Sequence, residues 1–344
     1  MSSIQFLDGK IVGDYLRPYI VAEVNTSHFG KVDTALQMID YLKEMECDCV
    51  KFQSWSADTL YSQTFYEKNP SAKRFVRKLS FSDEQLREIA IYCREKRISF
   101  ASTPYSREEA DFLVQQAEVP FLKVASMDLV NYPYLDYIAR IGVPIVLSTG
   151  MADIEEIEKA VETIVDAGNT KIVLLHCISI YPADAEILNL NNIVGLRRVF
   201  SSFPIGYSDH SLGTEMATSA VALGACLIEK HFTLDRSKIG MDNQMATEPS
   251  EFAQLIHQCR NVQLALGKEE RNVQAAEKAQ RLVMRRSIIA VNDLKAGDIL
   301  SADDLDVKRP GTGFPPEEIA NIVGKRICRD VSRDTLILSE DIES

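Results

Sequence analysis

The sequence has no excess of basic charge, no long apolar run and few histidines, and each shortage narrows the possible functions. Its 344 residues include 38 Lys and Arg against 50 Asp and Glu, which gives a net charge of −12. This balance argues against general binding of nucleic acids or anionic membranes, although a few local cations can still form a pocket for an anionic substrate. No apolar run reaches membrane-spanning length. We therefore expect neither a nucleic-acid partner nor a membrane partner.

The amino terminus and the cysteines indicate the expected compartment. The first residues, MSSIQFLDGK, lack the basic and apolar segments of a signal peptide. The 7 cysteines are odd in number and scattered through apparent strands and helices, which is typical of reduced thiols rather than of a disulfide framework. An apolar content of 46% is ordinary for a globular protein. We therefore expect a cytoplasmic protein.

A series of apolar runs alternates with helical patterns from Tyr19 onward. Buried parallel strands are continuously apolar, and eight of them alternating with helices over about 210 residues are typical of a (β/α)8 barrel. An open doubly wound sheet is the alternative, but no glycine-rich phosphate loop follows the first strand. The predicted strands are Tyr19–Val24, Cys49–Gln53, Ile98–Thr103, Phe121–Ser126, Val143–Ser148, Ile172–Cys177, Pro204–Ser208 and Ala225–His231.

Composition divides the chain into three segments. Residues 1–266 contain the predicted barrel, in which the long segment 54–81 after the second strand has aromatic and basic residues and is interpreted as a lid. Residues 267–283 are strongly charged without a clear apolar face, which predicts a linker. Residues 284–344 have short apolar runs broken by Asp, Gly and Pro, which predicts a small β-rich domain.

Polar residues lie at the carboxyl ends of nearly all the predicted strands, where active sites of (β/α)8 barrels form. Two of the 5 histidines, His210 and His231, end consecutive strands of a predicted βαβ unit, which would place them side by side. Imidazole is a common ligand of divalent transition metals, so the pair predicts a metal site. The other polar residues at or just after strand ends are Glu23, Lys51, Gln53, Thr103, Lys123, Ser126, Asp128, Ser148, Tyr181 and Ser208.

Other residues near the strand ends have structural interpretations. His176 follows an apolar run and is predicted to be an interior histidine, whereas His28 fits either a site residue or a brace for its loop. Adjacent Glu229 and Lys230 fit a structural ion pair, so Glu229 is not included among the catalytic candidates. Lys51 is different, because a lysine in a buried apolar run is costly without an anion beside it.

Motifs along nearly the whole chain resemble those of the sialic acid synthase family, in the family's order. The family condenses phosphoenolpyruvate with an N-acylated aldohexose to make nonulosonic acids. The resemblance implies a (β/α)8 barrel followed by a small antifreeze-like (SAF) domain of the β-clip type over residues 284–344. The motifs are IVAEVNTSHFG, VKFQS, ASTPYS, LKVASMD, VLSTGM, LLHCISIYP, GYSDHSLG, IEKHFT and VKRPGTGFPP.

The resemblance also implies roles for individual residues. His210 and His231 match the family's ligands for a divalent cation, Mn²⁺ or Mg²⁺. Arg309 matches the arginine that the family's small domain inserts into the partner subunit's barrel, which implies a domain-swapped homodimer. The catalytic candidates are Glu23, Asp242 and Arg309. The positions that match phosphoenolpyruvate-binding residues are Lys51, Thr103, Lys123, Ser126, Ser148 and Ser208, and those that match sugar-binding residues are Gln53, Asp128, Tyr181, Asp242 and Arg309.

The resulting prediction is a nonulosonic acid synthase, a transferase that forms a C–C bond and releases phosphate. Its acceptor would be N-acetylmannosamine or a 2,4-diacetamido-6-deoxyhexose. Asp128, where a longer glutamate is common, and Ser27, where an asparagine is usual, count against plain N-acetylmannosamine. A related synthase acting on a phosphorylated sugar is the alternative. A metal-dependent hydrolase would leave Lys51 and Lys123 unexplained, and a non-catalytic binding protein would not need polar groups on so many strands.

Overall fold

The structure is a computed structural model that describes residues 2–343. The chain separates into two compact units, Met1–Gly267 and Lys268–Ser344. The first unit begins with an antiparallel strand pair, β1 (Ser3–Gln5) and β2 (Ile11–Gly13). Phe6, between these strands, packs against Phe121 in the barrel interior, with ring centroids 4.7 Å apart. Phe6 therefore helps to fill the barrel interior at its amino-terminal end.

Within residues 2–343, eight parallel strands form one sheet in which the first and the last strand pair with each other. The hydrogen-bonded ladder is interrupted between β5 and β6, so the barrel is nearly closed. This confirms the predicted (β/α)8 barrel and places each predicted strand within a few residues of its expected bounds. The strands are β3 (Tyr19–Glu23), β4 (Cys49–Gln53), β5 (Ser99–Thr103), β6 (Leu122–Val124), β7 (Ile145–Ser148), β8 (Ile172–Cys177), β9 (Ile205–Asp209) and β10 (Leu227–His231).

Helices between the strands bury their apolar faces against the outside of the sheet in one large core. Their starts follow local sequence: Ser82 forms a capping box with Gln85, and Asp153 forms one with Glu156. No helix among the described residues is long and apolar enough to cross a membrane. The helices of this unit are α1 (Val32–Glu44), α2 (Gln63–Lys68), α3 (Pro70–Leu79), α4 (Asp83–Lys96), α5 (Arg107–Gln115), α6 (Tyr132–Ile141), α7 (Ile154–Asp166), α8 (Asn191–Val199), α9 (Glu215–Ala222) and α10 (Pro249–Leu266).

The second unit has its own small core around the antiparallel strands β11 (Ser287–Ala290) and β12 (Leu305–Lys308). Its helices are α11 (Ala275–Met284) and α12 (Ile319–Ile322). Helix α11 lies mostly within the segment predicted as a linker. The segment consists largely of Ala, Glu, Lys, Gln, Arg and Leu, which favour a helix even without a clear apolar face. The domain limits themselves remain a prediction.

Candidate active site

The pairing register of the barrel strands brings the predicted strand-end residues to one rim. Glu23 of β3 is level with Lys51 of β4 on one side and with His231 of β10 on the other. Ser208 of β9 is level with Glu229 of β10. Side chains alternate across a strand, so Glu229 and His231, two residues apart, face the same side. These residues surround a cavity of about 350 Å³ at the carboxyl ends of the strands.

Most of the predicted site residues line this cavity. Asp128 does not line it, although it lies in the same 3-10 turn, Ser126–Asp128, as the lining residue Ser126. Arg309 belongs to the second unit, where its side chain is exposed. The predicted residues that line the cavity are Glu23, Lys51, Gln53, Thr103, Lys123, Ser126, Ser148, Tyr181, Ser208, His210, His231 and Asp242.

Each of the two lysines in the cavity is buried beside a hydroxyl group. Lys51 Nζ donates a hydrogen bond to Thr103 Oγ1 (3.2 Å) and forms an ion pair with Glu23. Lys123 Nζ donates to Ser148 Oγ (2.7 Å). Burial lowers the pKa of Lys51 to about 8, although Glu229 acts in the opposite direction. The cavity thus has two cationic positions, each on a different pair of neighbouring strands.

Glu229 is a site residue that the sequence interpretation left out. Its Oε1 accepts a hydrogen bond from Ser208 Oγ (2.9 Å) and lies 3.6 Å from Lys123 Nζ. Its Oε2 lies 3.5 Å from Lys51 Nζ and has no hydrogen-bond partner in the described part of the chain. Burial favours the neutral acid, but the two lysines and Ser208 outweigh it and lower the pKa of Glu229. Glu229 is therefore a carboxylate that connects both cationic positions.

The prediction of an ion pair between Glu229 and Lys230 is wrong. Neighbouring residues of a strand point to opposite sides, so Lys230 faces away from the cavity and pairs with Asp209 instead, at 2.6 Å. The spacing of Glu229 and His231 could have identified Glu229 as a cavity residue. Two residues that are two positions apart on one strand face the same side.

The predicted metal ligands lie together, with His210 and His231 ring centroids 5.5 Å apart. His210 Nδ1 lies 2.7 Å from Ile178 O, and since a carbonyl only accepts, Nδ1 carries a proton; in the neutral ring, Nε2 then has the lone pair that a metal ligand needs. Burial lowers the pKa of His231 well below its ordinary value, so this ring is neutral at neutral pH. Asp242 Oδ2 lies 3.9 Å from His231 Nδ1.

This histidine pair fits a divalent cation that keeps positions open for other ligands. A ligating histidine commonly donates its second ring N–H to a carbonyl, as His210 does. Within residues 2–343, no group of three or more His, Cys, Asp or Glu side chains is arranged to hold a metal ion. The protein would thus supply two imidazole ligands, and substrate or water would complete the coordination.

Gln53 is held by two residues that the sequence analysis did not identify. Its Oε1 accepts hydrogen bonds from Trp55 Nε1 and from the Tyr105 hydroxyl, both at 2.9 Å. Because a tryptophan Nε1 can only donate, the amide oxygen must face these partners and the NH₂ group is left for the cavity. Trp55 and Tyr105 follow strands β4 and β5 and lie in loops, where strand patterns give no signal. With Leu60 and Tyr61 they form a mainly apolar wall.

The two remaining histidines near the barrel strands have structural contacts. His28 stacks on Phe81 with ring centroids 4.0 Å apart, and its Nδ1 accepts a hydrogen bond from Gly30 N (3.0 Å). It therefore braces its loop against the end of the segment after β4 and does not line the cavity. His176 is buried as predicted, with Nε2 2.7 Å from Leu188 O.

Comparison with known proteins places this geometry in a family. The sequence pattern described as the NeuB family matches residues 38–271, and that of the SAF domain matches residues 285–343. The chain belongs to the NeuB family. The predicted resemblance and the predicted carboxyl-terminal SAF domain are both confirmed.

This NeuB family member is similar to named synthases over its full length. It is 37% identical to N,N'-diacetyllegionaminic acid synthase of Legionella pneumophila, over 100% of both chains. It is 35% identical to N-acetylneuraminate-9-phosphate synthase of Homo sapiens, over 99% of this chain and 97% of the relative. The structure of N-acetylneuraminic acid (sialic acid) synthetase from Leptospira borgpetersenii matches with a TM-score of 0.74 and 33% identity, over 81% of this chain and 95% of that one. The prediction of an enzyme of the sialic acid synthase type is confirmed.

Proposed function

We propose that the protein joins phosphoenolpyruvate to an N-acylated aldohexose and, with water, forms a nonulosonic acid and inorganic phosphate. One observation carries the proposal: two buried lysines, each beside a hydroxyl, share a cavity with two glutamates and a histidine pair. Phosphoenolpyruvate has a carboxylate and a phosphate, and charge-assisted hydrogen bonds from fixed donors suit both groups. The named relatives, which are synthases of such acids, support this assignment.

The two cationic positions define a binding site for phosphoenolpyruvate. Lys51 with Thr103 would hold one anionic group, and Lys123 with Ser148 the other. Ser126, in the turn after β6, and Ser208, on β9, add two further hydroxyl groups. Before the substrate binds, Glu229 lies near both lysines and Glu23 pairs with Lys51; the substrate anions then become the closest partners of the lysines.

The reaction then follows from these positions. C3 of phosphoenolpyruvate forms a bond to the aldehyde carbon of the sugar, whose oxygen takes up a proton, and positive charge develops at C2. Water adds at C2 and loses a proton, for which Glu23 is the proposed acceptor. The C2–O bond to phosphate then breaks while the new C2 hydroxyl passes its proton to the departing phosphate, which leaves a 2-keto acid and inorganic phosphate. His210 and His231 would hold Mn²⁺ or Mg²⁺, which when bound polarises the aldehyde oxygen.

Among acceptors, the cavity favours an unphosphorylated 2,4-diacetamido-6-deoxyhexose. The Gln53 NH₂ group is a fixed donor that suits an acylamido carbonyl, and the apolar wall of Trp55, Leu60 and Tyr61 suits a methyl group better than a hydroxymethyl group. Among the described residues, Lys51 and Lys123 are the only Lys or Arg side chains that line the cavity. A phosphorylated sugar would therefore need a further cation, and the one cation proposed below to reach the sugar is Arg309 of another copy. Tyr181 and Asp242, which line the cavity, are proposed to contact sugar hydroxyls, and Asp128 is proposed to approach the sugar from the turn that it shares with Ser126.

The family resemblance extends the proposal to the assembly and the compartment. The second unit would deliver Arg309 to the barrel of another copy in a domain-swapped homodimer, where the arginine would contact the sugar. The cysteines in the described part of the chain are free thiols, which supports a reducing, cytoplasmic location.

Phosphate release tests the proposal. The metal-loaded protein is incubated with phosphoenolpyruvate and, in separate reactions, with N-acetylmannosamine, 2,4-diacetamido-2,4,6-trideoxymannose, N-acetylmannosamine 6-phosphate or no sugar. We expect phosphate and a 2-keto acid in equal amounts, and a kcat/KM at least about tenfold higher for the diacetamido sugar than for N-acetylmannosamine. A tenfold preference for N-acetylmannosamine would overturn the sugar assignment. Turnover with the phosphorylated sugar alone would establish the alternative.

A further inference from the structure

Strands β9 and β10 place alternate residues on opposite sides of the barrel wall. Ser208, Glu229 and the two histidines face the cavity. Asp209 and Lys230 lie directly before the histidines in sequence, so their side chains face the other way and do not line the cavity. The strand ends that carry the histidines therefore have two charged residues, Asp209 and Lys230, on the face away from the cavity.

Asp209 and Lys230 form a buried ion pair with several hydrogen bonds. Only 0% and 2% of their respective side-chain surfaces are exposed. Lys230 Nζ donates to Asp209 Oδ2 (2.6 Å) and to Ser211 O (2.8 Å). Asp209 Oδ1 accepts hydrogen bonds from Ser211 N (2.9 Å), Ser211 Oγ (2.7 Å) and the Tyr207 hydroxyl (3.2 Å). Neither partner reaches the cavity, so the pair plays no direct part in substrate binding.

The pair fixes the backbone on both sides of His210. Strand β9 ends at Asp209, so His210 lies beyond the hydrogen-bonded ladder. Ser211, the residue after His210, is tied through its amide to Asp209 and through its carbonyl to Lys230. Asp209 and Lys230 are also directly opposite each other in the ladder, and Lys230 immediately precedes His231. One ion pair thus connects the backbone segments that carry both histidines.

Stability alone is a weak reason for such a pair. Burying two charges has a large desolvation cost, and well-packed apolar residues often stabilise a fold as well or better. A buried, hydrogen-bonded pair does restrict geometry, and a metal site requires ligands at fixed separation. We propose that the Asp209–Lys230 pair is a positioning device that sets the spacing of His210 and His231 for the divalent cation. This inference rests on the proposed function, in which the two histidines bind that cation.

The test is the affinity of the metal-free, full-length protein for Mn²⁺ alone, measured by calorimetric titration, together with its melting temperature. In Asp209→Asn the amide no longer balances Lys230 and holds Ser211 less firmly. We expect the Kd for Mn²⁺ to rise by about tenfold or more, the range seen when groups behind metal ligands are changed.

Asp14→Asn is the matched control, because Asp14 supports the opposite end of the same strand. Asp14 is equally buried, accepts a hydrogen bond from Ile205 N (3.1 Å) and lies 3.2 Å from Arg197 Nε. We expect this variant to lose stability while keeping the parent's Mn²⁺ affinity. A general loss of stability would instead weaken Mn²⁺ binding equally in both variants and would overturn the inference.

A double variant, Asp209→Asn with Lys230→Met, guards against misfolding because it leaves no unpaired buried charge. We expect its melting temperature to recover relative to Asp209→Asn while its Mn²⁺ affinity stays about tenfold below the parent's. If the Mn²⁺ affinity of the double variant or of Asp209→Asn stays within about twofold of the parent's, the positioning role is refuted but the proposed metal site is not. A parent protein that binds no Mn²⁺ would refute the proposed metal site as well, so the two failures are distinguishable.

Discussion

Two lysine side chains are buried in the cavity, and each lies near a carboxylate. Lys51 contacts Glu23 and Glu229, and Lys123 approaches Glu229 from the other side. An unpaired buried charge costs several kcal/mol, so these carboxylates offset the cost of burying the lysines before an anion arrives. The donors are then already in place when the substrate enters, which is the arrangement that favours charge stabilisation during reaction.

Replacing either lysine should therefore weaken binding of phosphoenolpyruvate selectively. A hydrogen bond to a charged group contributes about 1.5–3 kcal/mol, so Lys51→Met and Lys123→Met should each raise the KM for phosphoenolpyruvate by about 10- to 100-fold. The KM for the sugar should change little and serves as the internal control in steady-state kinetics. An unchanged KM for phosphoenolpyruvate in both variants would contradict the proposed binding of this substrate by the two lysines.

Metal removal should abolish turnover if His210 and His231 hold the cation. We expect no phosphate release after chelation and recovery on addition of Mn²⁺ or Mg²⁺, because a Lewis acid at the aldehyde would be lost and restored. His231→Ala should stay inactive at saturating Mn²⁺. His257→Ala is the matched control, since this exposed histidine of α10 does not line the cavity and accepts a hydrogen bond from Asn261. Full activity of the protein in chelator would rule out the metal requirement.

At the scale of elements, the barrel strands were predictable because each is short, apolar and buried on both faces. Strand ends then identified most of the cavity, since parallel strands expose their carboxyl ends at one rim. Glu229 was missed because adjacent charges in sequence suggested a pair, whereas alternation separates them. The partners of Asp209 depend on the register between β9 and β10, which one sequence does not contain. The contact of Trp55 with Gln53 was not predictable because Trp55 lies in a loop, where side-chain direction does not follow a regular sequence period.

The segment after β4 is more structured than a connector. It contains α2 and α3 and has its own small apolar cluster, which includes Trp55, Val76 and Leu79. Trp55 thereby has a fixed position from which its Nε1 holds the Gln53 amide. The segment was interpreted as a lid, and the structure gives it a specific task, which is to orient one polar group of the cavity.

Removing the hydrogen bonds that hold the Gln53 amide should raise the KM for the sugar more than the KM for phosphoenolpyruvate. The double variant Trp55→Phe with Tyr105→Phe keeps the aromatic bulk but removes both donors to Gln53 Oε1, so the amide can rotate. With about 1 kcal/mol for a typical hydrogen bond, we expect the KM for the sugar to rise about fivefold at unchanged phosphoenolpyruvate KM. Tyr134→Phe is the control, because its buried hydroxyl donates to Pro104 O instead. Equal changes in both KM values would indicate a general distortion of the cavity.

At the scale of the whole molecule, the second unit presents Arg309 on a turn that is fixed within that unit. Ser287 Oγ donates to Pro310 O (2.7 Å) and accepts from Gly313 N (2.9 Å), so the chain after Arg309 is tied to β11. A Cβ at Gly311 would lie 2.6 Å from Arg281 O, so only glycine permits this close approach to helix α11. The turn holds the backbone beside exposed Arg309 in a defined place, which suits the proposed role of this arginine.

If Arg309 acts in the barrel of another copy, two defective chains should complement each other. Arg309→Ala and His210→Ala should each be inactive as homodimers. In a mixed dimer with exchanged SAF domains, one site receives an intact Arg309 and belongs to a barrel with an intact His210, so phosphate release should return. Arg333→Ala, which changes another exposed arginine of the same unit, should remain active by itself. The mixed dimer is isolated with two affinity tags before the assay. If it is inactive, each barrel uses the Arg309 of its own chain, because only that arrangement leaves every site with one defect.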